Sequence, residues 1–380
     1  MKGLNTMKSY AVMHLDRHVA TIRSDGCCTI YHKSFMPYNL YLERAAETDM
    51  QTRMNNLNNF YYWAATRLLT LDRKYAKEIL NSLGMKQAVT DKDRAEIAIS
   101  YHALCLTDVY WVRELRESVR YEEINLYDHS LSDAFVDVSL RGHALTAQNA
   151  ELISEGDSAG DLSTLGLAPK AWIRREGKFW LLKDGDLAEV EAELAASQII
   201  RCFDVDQVLY EPWEYQGQVV SRSPLLTSIE SSIVPMEYVE VYAVNHGKDA
   251  RELALTRDPL GYHRMNIVDY LTGNTDRHWG NWGFCVDNKT NKLGKLHSLM
   301  DFNRCFRSYD SLEGARCLTS AQNMSQKDAA IMGVQAVGLG LIRPLPENPE
   351  SIFGKINQIF HMRLDLMFQR RLEILCRAEK

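Results

Sequence analysis

The chain has 380 residues, of which 46% are hydrophobic and 25% are charged. A chain of this length predicts two or three coupled domains, and this composition is that of a globular protein, which excludes disordered, collagen-like and disulfide-scaffold chains. The formal net charge of -6 excludes a global basic field that would attract nucleic acid.

The cysteines and the apolar runs indicate the compartment. The eight cysteines include no C-x-x-C pair, so neither a structural zinc site nor a redox motif is indicated. No apolar run reaches the roughly 18 residues of a membrane helix, and the first residues lack the apolar stretch of a signal peptide. We therefore expect a cytoplasmic protein with reduced thiols, no membrane association and no direct contact with nucleic acid.

The first part of the chain changes from a strand pattern to a helix pattern. Up to about residue 40, strand-like runs are separated by turn formers such as Asp25-Gly26, which predicts a small antiparallel sheet. From there to about residue 120, apolar residues recur every three to four positions, which predicts helices, for example over 59–69 and 93–100. Residues 151–170 are rich in Gly, Ser and Asp and predict a flexible loop.

A strand pair and a helix follow this loop. Residues 170–174 and 179–183 flank a Glu176-Gly177 turn and predict a hairpin, and Asp186 is placed to cap a helix that reaches Ile200. Two further strand-like runs surround Val208 and residues 217–220. Beyond about residue 235 the pattern is mainly helical and ends in a helix from about Phe353 to Ala378.

Polar residues cluster in two segments of the C-terminal part. Asp276 and, five residues later, Asn281 lie in a loop-forming stretch, and Asp301 follows a strand-like run. Phosphoryl transfer needs a carboxylate that orients the attacking hydroxyl and hard oxygen ligands that hold Mg²⁺ against nucleotide phosphates. Asp276 fits the first role, and Asn281 and Asp301 fit the second. Taken alone, Asp-x-x-x-x-Asn is also typical of a solvated turn, because both residues favour loops.

Two upstream features fit the same chemistry. Lys183 ends an apolar strand and precedes a helix with Glu189 and Glu193 one turn apart; a strand lysine held by a helix carboxylate places a point charge on nucleotide phosphates. Both glutamates lie on one face, so the sequence does not decide between them. The alternative is a strand-end lysine beside a solvated helix face.

The second upstream feature is a loop of small residues that begins at Ser163 and includes Gly166. Its backbone N–H groups near Gly166 are candidates to approach phosphates. The loop is not a Walker A motif, and the chain has no complete G-x-G-x-x-G. Gly338-Leu-Gly340 is therefore interpreted as helix or loop punctuation.

In this order, the motifs resemble the HipA-like kinase family, in particular its shorter bacterial and phage members. Residues 274–278 followed by Asn281 are very close to that family's catalytic loop, and Asp301 is similar to its second metal-binding aspartate. Ser163 corresponds to the family's autophosphorylated serine, and Lys183 to its ATP-binding lysine. The resemblance is most specific over residues 270–305 and faint before residue 100.

The resemblance implies an α+β, two-lobed protein-kinase-like fold with a mostly helical C-terminal lobe. We expect an N-terminal strand and helical region over 1–150, a nucleotide-binding lobe over 151–235 and a helical lobe with the catalytic and metal-binding loops over 236–380. The implied activity is transfer of the γ-phosphoryl group of ATP, with Mg²⁺, to a serine or threonine hydroxyl of a protein substrate. Autophosphorylation and a toxin role with an antitoxin-like partner protein are also implied.

Other functions use the same motifs. A lipid or small-molecule kinase shares the Asp-x-x-x-x-Asn pattern, a nucleotidyltransferase can hold ATP in a flipped orientation, and a catalytically silent module can bind a nucleotide without turnover. Next to Asp276, we interpret His278 as scaffold, and Trp279 and Trp282 as packing residues. The sequence leaves Arg277 open between a brace for a loop carboxylate and a surface residue.

Overall fold

The computed structural model describes residues 7–82, 90–129, 133–141, 168–320, 322–343 and 350–379. Residues 151–167 of the predicted loop, which include Ser163 and Gly166, lie outside the described residues. The fold is a mixed α+β fold, with sheets in the N-terminal part and a largely helical C-terminal part. This confirms the fold class that the sequence predicted.

The strands lie in three sheets, in the orders β3-β2-β1-β4, β11-β10-β9 and β5-β6-β8-β7. The strands are β1 Ser9–His14, β2 Arg17–Arg23, β3 Cys28–Ile30, β4 Tyr110–Glu114, β5 Lys170–Arg175, β6 Lys178–Lys183, β7 Glu211–Tyr215, β8 Gln218–Pro224, β9 Ser231–Pro235, β10 Gly283–Asp287 and β11 Lys292–Leu296. The helices are α1 Met50–Ala65, α2 Ala76–Ser82, α3 Asp91–Ser100, α4 Tyr121–Ile124, α5 Asp133–Arg141, α6 Leu187–Ile200, α7 Met236–Val244, α8 Ala250–Arg257, α9 Pro259–Thr272, α10 Gln326–Val337, α11 Glu350–Phe360 and α12 Leu364–Ala378.

The chain folds into two compact units, each assembled from separate segments. The first comprises residues 1–181, 227–232 and 286–292, and the second comprises 182–226, 233–285 and 293–380. The three-part division expected from the sequence stays a prediction. None of the helices in the described part of the chain has both the length and the apolar character needed to cross a membrane.

The first unit is built on the antiparallel sheet predicted at the start of the chain. Strands β1 and β2 pair from Ser9↔Arg23 to His14↔Arg17, with a bulge between Val12 and Met13. The core packs Phe60 and Trp63 of helix α1 with buried residues of these strands. Helix α3 begins with a capping box in which the Thr90 side chain accepts from the Asp93 N–H, which satisfies backbone donors that the first turn leaves unpaired.

Strand β4 corrects the expectation that residues 40–120 are helical throughout. It pairs antiparallel with β1, from Tyr10↔Glu114 to His14↔Tyr110. Its Trp111 and Val112 are fully buried, and aromatic and β-branched residues of this kind suit a strand. The pairing joins residues about 100 positions apart, which a local pattern does not detect.

The second unit begins at the end of the predicted hairpin, and the predicted helix α6 follows. The Asp186 side chain accepts from the Glu189 N–H at 2.7 Å, which caps helix α6. The run around Val208 precedes β7 rather than forming it; Val208 N–H donates to the Leu299 carbonyl at 2.8 Å instead. This long-range contact brings the chain before β7 alongside the segment that leads to Asp301.

The C-terminal helices also differ from one expectation. The predicted helix from Phe353 to Ala378 is two helices, α11 and α12, which are separated at His361, a residue with φ of 51°. The Asn357 side chain accepts from the Leu364 N–H at 2.8 Å and so caps the second helix. Gly338, with φ of 73°, ends helix α10, as its interpretation as punctuation predicted.

Candidate active site

Lys183, at the end of β6, is held between two carboxylates. Its side-chain nitrogen lies 2.7 Å from Glu193 Oε1 and 2.8 Å from Asp301 Oδ1. The lysine is 6% exposed. Burial disfavours the charged form, but the neighbouring Asp301 and Glu193 carboxylates outweigh it, so the pKa of Lys183 lies well above its ordinary value. The ammonium group is therefore a fixed positive charge.

Glu193, rather than Glu189, is the partner of Lys183. The glutamate is 1% exposed, and its second carboxylate oxygen accepts from the Ser221 hydroxyl at 2.5 Å. Both oxygens of a buried carboxylate are thus satisfied, as a buried charge requires. Glu189 instead lies 3.1 Å from Arg304. The choice that the sequence left open is decided by position along helix α6, because Glu193 lies beside Lys183 whereas Glu189, one turn earlier, lies beside Arg304.

Asp301 is positioned through its main chain as well as its side chain. Its N–H donates to the Tyr210 hydroxyl at 3.1 Å, and its φ is 63°. The Lys183 nitrogen lies 5.5 Å from the centre of the Tyr210 ring, a distance at which a cation is attracted to the ring face. Burial raises the pKa of the Tyr210 hydroxyl. Neither Tyr210 nor Ser221 belongs to a sequence motif, so local patterns did not predict them as site residues.

The loop that carries Asp276 begins where helix α9 ends. Gly273 closes the helix in the left-handed conformation, with φ of 60°, which glycine adopts without steric cost. The Asn274 side chain then accepts from the Asp276 N–H at 3.0 Å and donates to the Asp301 carbonyl at 3.4 Å. Asn274 therefore joins the loop of Asp276 to the segment of Asp301.

Asn281 closes the same loop. Its side-chain nitrogen donates to the Asp276 carbonyl at 2.9 Å, and its N–H donates to the His278 carbonyl at 2.9 Å. Because the nitrogen of the carboxamide is used in this way, Oδ1 is the atom of Asn281 that suits a metal ion.

Arg277 is buried, which excludes the surface alternative, but the carboxylate that it braces belongs to helix α9 rather than to the loop. It is 2% exposed, and two of its nitrogens donate to the Asp269 carboxylate at 3.0 Å each. The third nitrogen, Nη1, donates to the carbonyls of Asn281 at 2.8 Å and Met300 at 2.6 Å. One guanidinium group thus fixes both the Asp276 loop and the Asp301 segment, and the carboxylate that it pairs with is Asp269.

Asp276 faces solvent more than its neighbours do. Its side chain is 43% exposed, and Oδ2 lies 4.0 Å from His278 Nε2. Partial burial raises the pKa of the Asp276 carboxyl, and His278 opposes that rise. His278 is itself 55% exposed, and its Nδ1 accepts from the Gly280 N–H at 3.0 Å. His278 thus supports the loop by a hydrogen bond, which agrees with its interpretation as scaffold.

The two tryptophans pack as expected. Trp282 is 1% exposed, and its ring lies 5.9 Å from that of Tyr262 and 6.5 Å from that of Trp279. The Arg251 guanidinium lies 4.5 Å from the Trp279 ring. These rings support the end of the Asp276 loop.

The oxygen-bearing side chains suit a magnesium ion better than a transition metal. Within the described ranges, no group of three or more His, Cys, Asp or Glu side chains is arranged to hold a metal ion. Mg²⁺ is usually bound in nucleotide sites by one or two protein ligands together with phosphates and water. Asn274 and Arg277 tie the segments of Asn281 and Asp301 together, so these two side chains stay the candidates for such a set.

Comparisons with known proteins give structural similarity only. No family model matches the chain, and no curated protein matches its sequence. Among solved structures, the chain is similar to HipA of Shewanella oneidensis MR-1, from a complex of the toxin–antitoxin system HipA and HipB with operator DNA. The identity is 11%, the TM-score is 0.48, and the match covers 84% of this chain and 87% of that one.

A second similar structure is the Helicobacter pylori proinflammatory kinase CtkA. The identity is 13%, the TM-score is 0.43, and the match covers 56% of this chain and 90% of that one. HipA and its relatives are the proteins that the sequence motifs already resembled. Since both TM-scores lie below 0.5, the function proposed below is based on the contacts of the described side chains and on the motifs.

Proposed function

We propose that the protein is an ATP- and Mg²⁺-dependent kinase that transfers the γ-phosphoryl group to a serine or threonine hydroxyl of a protein. The observation that carries the proposal is the triad of Lys183, Glu193 and Asp301, with Nζ–O distances of 2.7 and 2.8 Å. A buried lysine held by a helix carboxylate, beside an aspartate suited to a metal ion, is an arrangement that phosphoryl transfer uses. The motif around Asp276 completes the set.

Each side chain has a separate task in this proposal. Lys183 donates to oxygens of the α- and β-phosphates, and Glu193 holds its ammonium group in place. Asp276 accepts a hydrogen bond from the acceptor hydroxyl and orients its oxygen towards the γ-phosphorus. Positioning and charge compensation supply most of the rate, because phosphoryl transfer needs little covalent chemistry from the protein.

Asn281 and Asp301 are the residues that would hold Mg²⁺, which when bound neutralises charge on the β- and γ-phosphates. In the described contacts, Lys183 occupies one oxygen of the Asp301 carboxylate. Asp301 thus meets the lysine on one side while its main chain is held by Tyr210. Because Asp301 is already held in place, it would lose less conformational entropy on binding the metal ion.

The exposure of Asp276 supports a macromolecular acceptor. The carboxylate is 43% exposed, so a hydroxyl on a protein surface reaches it without entering a deep cavity. The motif resemblance independently implies a serine or threonine acceptor. A lipid or small-molecule acceptor and nucleotidyl transfer remain as competing outcomes of the test below.

The test is incubation of the pure protein with Mg²⁺, a cell lysate and ATP labelled at the γ- or the α-phosphate. We expect γ-label in polypeptides, and none with Asp276→Asn. This variant keeps the shape of the side chain. Because burial raises the pKa of Asp276, folding disfavours its ionised form, and the neutral variant should unfold at neutral pH no earlier than wild type. Label from the α-phosphate, or in lipids alone, would overturn the proposal.

Two finer points rest on the motif resemblance. We propose that Ser163 is autophosphorylated, which mass spectrometry of protein incubated with Mg-ATP would detect as phosphate between residues 151 and 170.

We also propose an antitoxin-like partner protein encoded beside this chain. Co-expression with the neighbouring gene, followed by purification of the tagged kinase, tests for that partner.

A further inference from the structure

A second group of charges lies next to the Lys183 triad. Oε1 of Glu189, one helical turn before Glu193, lies 3.1 Å from Nη2 of Arg304 and 3.5 Å from Nη2 of Arg307. Arg307 also lies 3.8 Å from the carboxylate of Asp186, the residue that caps helix α6. Two arginines from the segment after Asp301 therefore converge on the first turn of this helix.

At the start of helix α6, the Glu189 carboxylate lies close to the backbone of Gly185. A Cβ atom at Gly185 would lie 2.6 Å from Glu189 Oε2, which is closer than atoms approach. A side chain at position 185 would therefore require the Glu189 carboxylate to shift. The Glu189 side chain is 15% exposed, so most of the carboxylate is shielded from water.

The arginine end is fixed through the main chain. Phe306, between the two arginines, is 1% exposed, and its N–H donates to the Thr272 carbonyl at 2.8 Å. The Arg304 carbonyl accepts from both the N–H and the hydroxyl of Thr275, at 3.4 Å each. Thr275 immediately precedes Asp276, so Arg304 touches the Asp276 loop with its backbone and helix α6 with its side chain.

We propose that Glu189, Arg304 and Arg307 form an ionic clamp that positions helix α6 against the Asp301 segment and the Asp276 loop. Glu189 is then a positioning residue, and it acts through Glu193, which follows it on the same face. The two levels of contact, Glu189 with the arginines and Glu193 with Lys183, hold the helix against rotation. The catalytic consequence rests on the proposed kinase function, whereas the clamp itself does not.

The strength of the clamp depends on ionic strength. The arginine side chains are 41% and 33% exposed, and a single exposed pair shifts an equilibrium by up to about fivefold. Two arginines that share one carboxylate stabilise the contact more than a single pair does. Dissolved salt screens these charges and so weakens the contact. The Lys183 pairs are buried and are screened much less. Salt sensitivity thus separates the clamp from the triad.

The direct test is hydrogen–deuterium exchange of the full chain with Glu189→Gln, Arg304→Gln and the double variant. We expect each single variant to speed exchange severalfold in peptides from both segments, 187–193 and 302–309, and the double variant to exchange no faster than Glu189→Gln, which already removes both arginine contacts. Wild type should show the same joint increase at about 1 M salt, where the Debye length is about 3 Å. Glu373→Gln, which neutralises an exposed partner of Arg377, is the matched control.

Exchange that changes only in the segment that carries the substitution, or that adds up in the double variant, would overturn the clamp. The kinase assay is read in parallel. If wild type transfers phosphate, we expect Glu189→Gln to lower kcat by about fivefold, to leave the KM for ATP within about twofold and to flatten the salt dependence of the rate. If wild type transfers no phosphate while the joint exchange effect persists, the kinase proposal fails and the clamp stands.

Discussion

The ammonium nitrogen of Lys183 lies 2.8 Å from a carboxylate oxygen of Asp301, 118 residues later in the chain. The residue that we propose for the phosphates and the residue that we propose for the metal ion are therefore in direct contact. Their opposite charges compensate each other in the fold, and Mg-ATP would bring a cation to Asp301 and phosphates to Lys183. Stability and function are thus linked at this pair.

Asp301→Ala tests that link. Lys183 keeps only Glu193 as a partner, and because the Asp301 side chain is 23% exposed we expect a loss of about 1–3 kcal/mol in the free energy of unfolding, less than a fully buried pair would lose. The protein should stay folded but lose Mg-ATP-dependent transfer. Denaturant unfolding and the γ-label assay measure the two effects. Phosphate transfer at the wild-type rate would show that Asp301 holds no essential metal ion.

Glu193→Gln tests the choice between the two glutamates. The substitution replaces a charged hydrogen bond to Lys183, in a side chain that is 2% exposed, by a neutral one. A hydrogen bond to a charged group contributes about 1.5–3 kcal/mol, so we expect the KM for ATP to rise roughly tenfold or more. Glu191→Gln, on the same helix but beside Lys355, is the matched control. Equal effects of the two variants on the KM for ATP would show that Glu193 has no specific role at the site.

Arg277→Lys tests the brace behind the two loops. A lysine keeps the charge but lacks the planar fork that reaches Asp269 and two carbonyl groups at once. We expect a loss of about 3 kcal/mol or more in the free energy of unfolding, because the pair is buried, together with loss of transfer. Arg370→Lys, at an exposed position of α12, should change neither quantity. A variant as stable as wild type would mean that the loops hold their shape without this guanidinium.

His278→Gln tests the pH dependence of the proposed orienting carboxylate. A neutral carboxyl group is a weaker hydrogen-bond acceptor than a carboxylate, so the rate should fall as the pH falls through the pKa of Asp276. Burial raises that pKa and His278 lowers it; removal of the histidine should therefore shift the acid limb of the kcat profile to higher pH. Lys183 stays charged across this range, because its pKa lies well above its ordinary value.

The matched control for this profile is His246→Gln, an exposed histidine just after helix α7. Its acid limb should coincide with that of wild type. A limb that moves to lower pH in His278→Gln, or that does not move, would show that His278 does not act on the ionisation of Asp276.

Local patterns predicted much of the framework around the site. The turn at Glu176-Gly177, the cap at Asp186 and the helix end at Gly338 each follow from residues within a few positions of one another. Such features can be predicted from the local sequence, because glycine and capping side chains act on the backbone of neighbouring residues. The same holds for the loop motif from Asn274 to Asn281.

Contacts between distant segments could not be predicted in this way. The strand at Tyr110–Glu114 falls in a region whose local pattern predicts helices, because its partner, β1, lies about 100 residues earlier. Tyr210 and Ser221 belong to no motif, yet one holds the main chain of Asp301 and the other holds Glu193. Their roles depend on the tertiary contacts that bring Asp301 to Tyr210 and Glu193 to Ser221.

By itself, the sequence determined which residue types were available for phosphate, metal and hydroxyl chemistry, and it placed them at the ends of predictable strands and helices. Only the tertiary structure decided that Glu193 meets Lys183 while Glu189 meets Arg304, and that Arg277 is buried against Asp269. The physical reason is that two residues on one helix face are equivalent by local rules. They become different only when the helix packs and one of them is removed from water beside a charge from another segment.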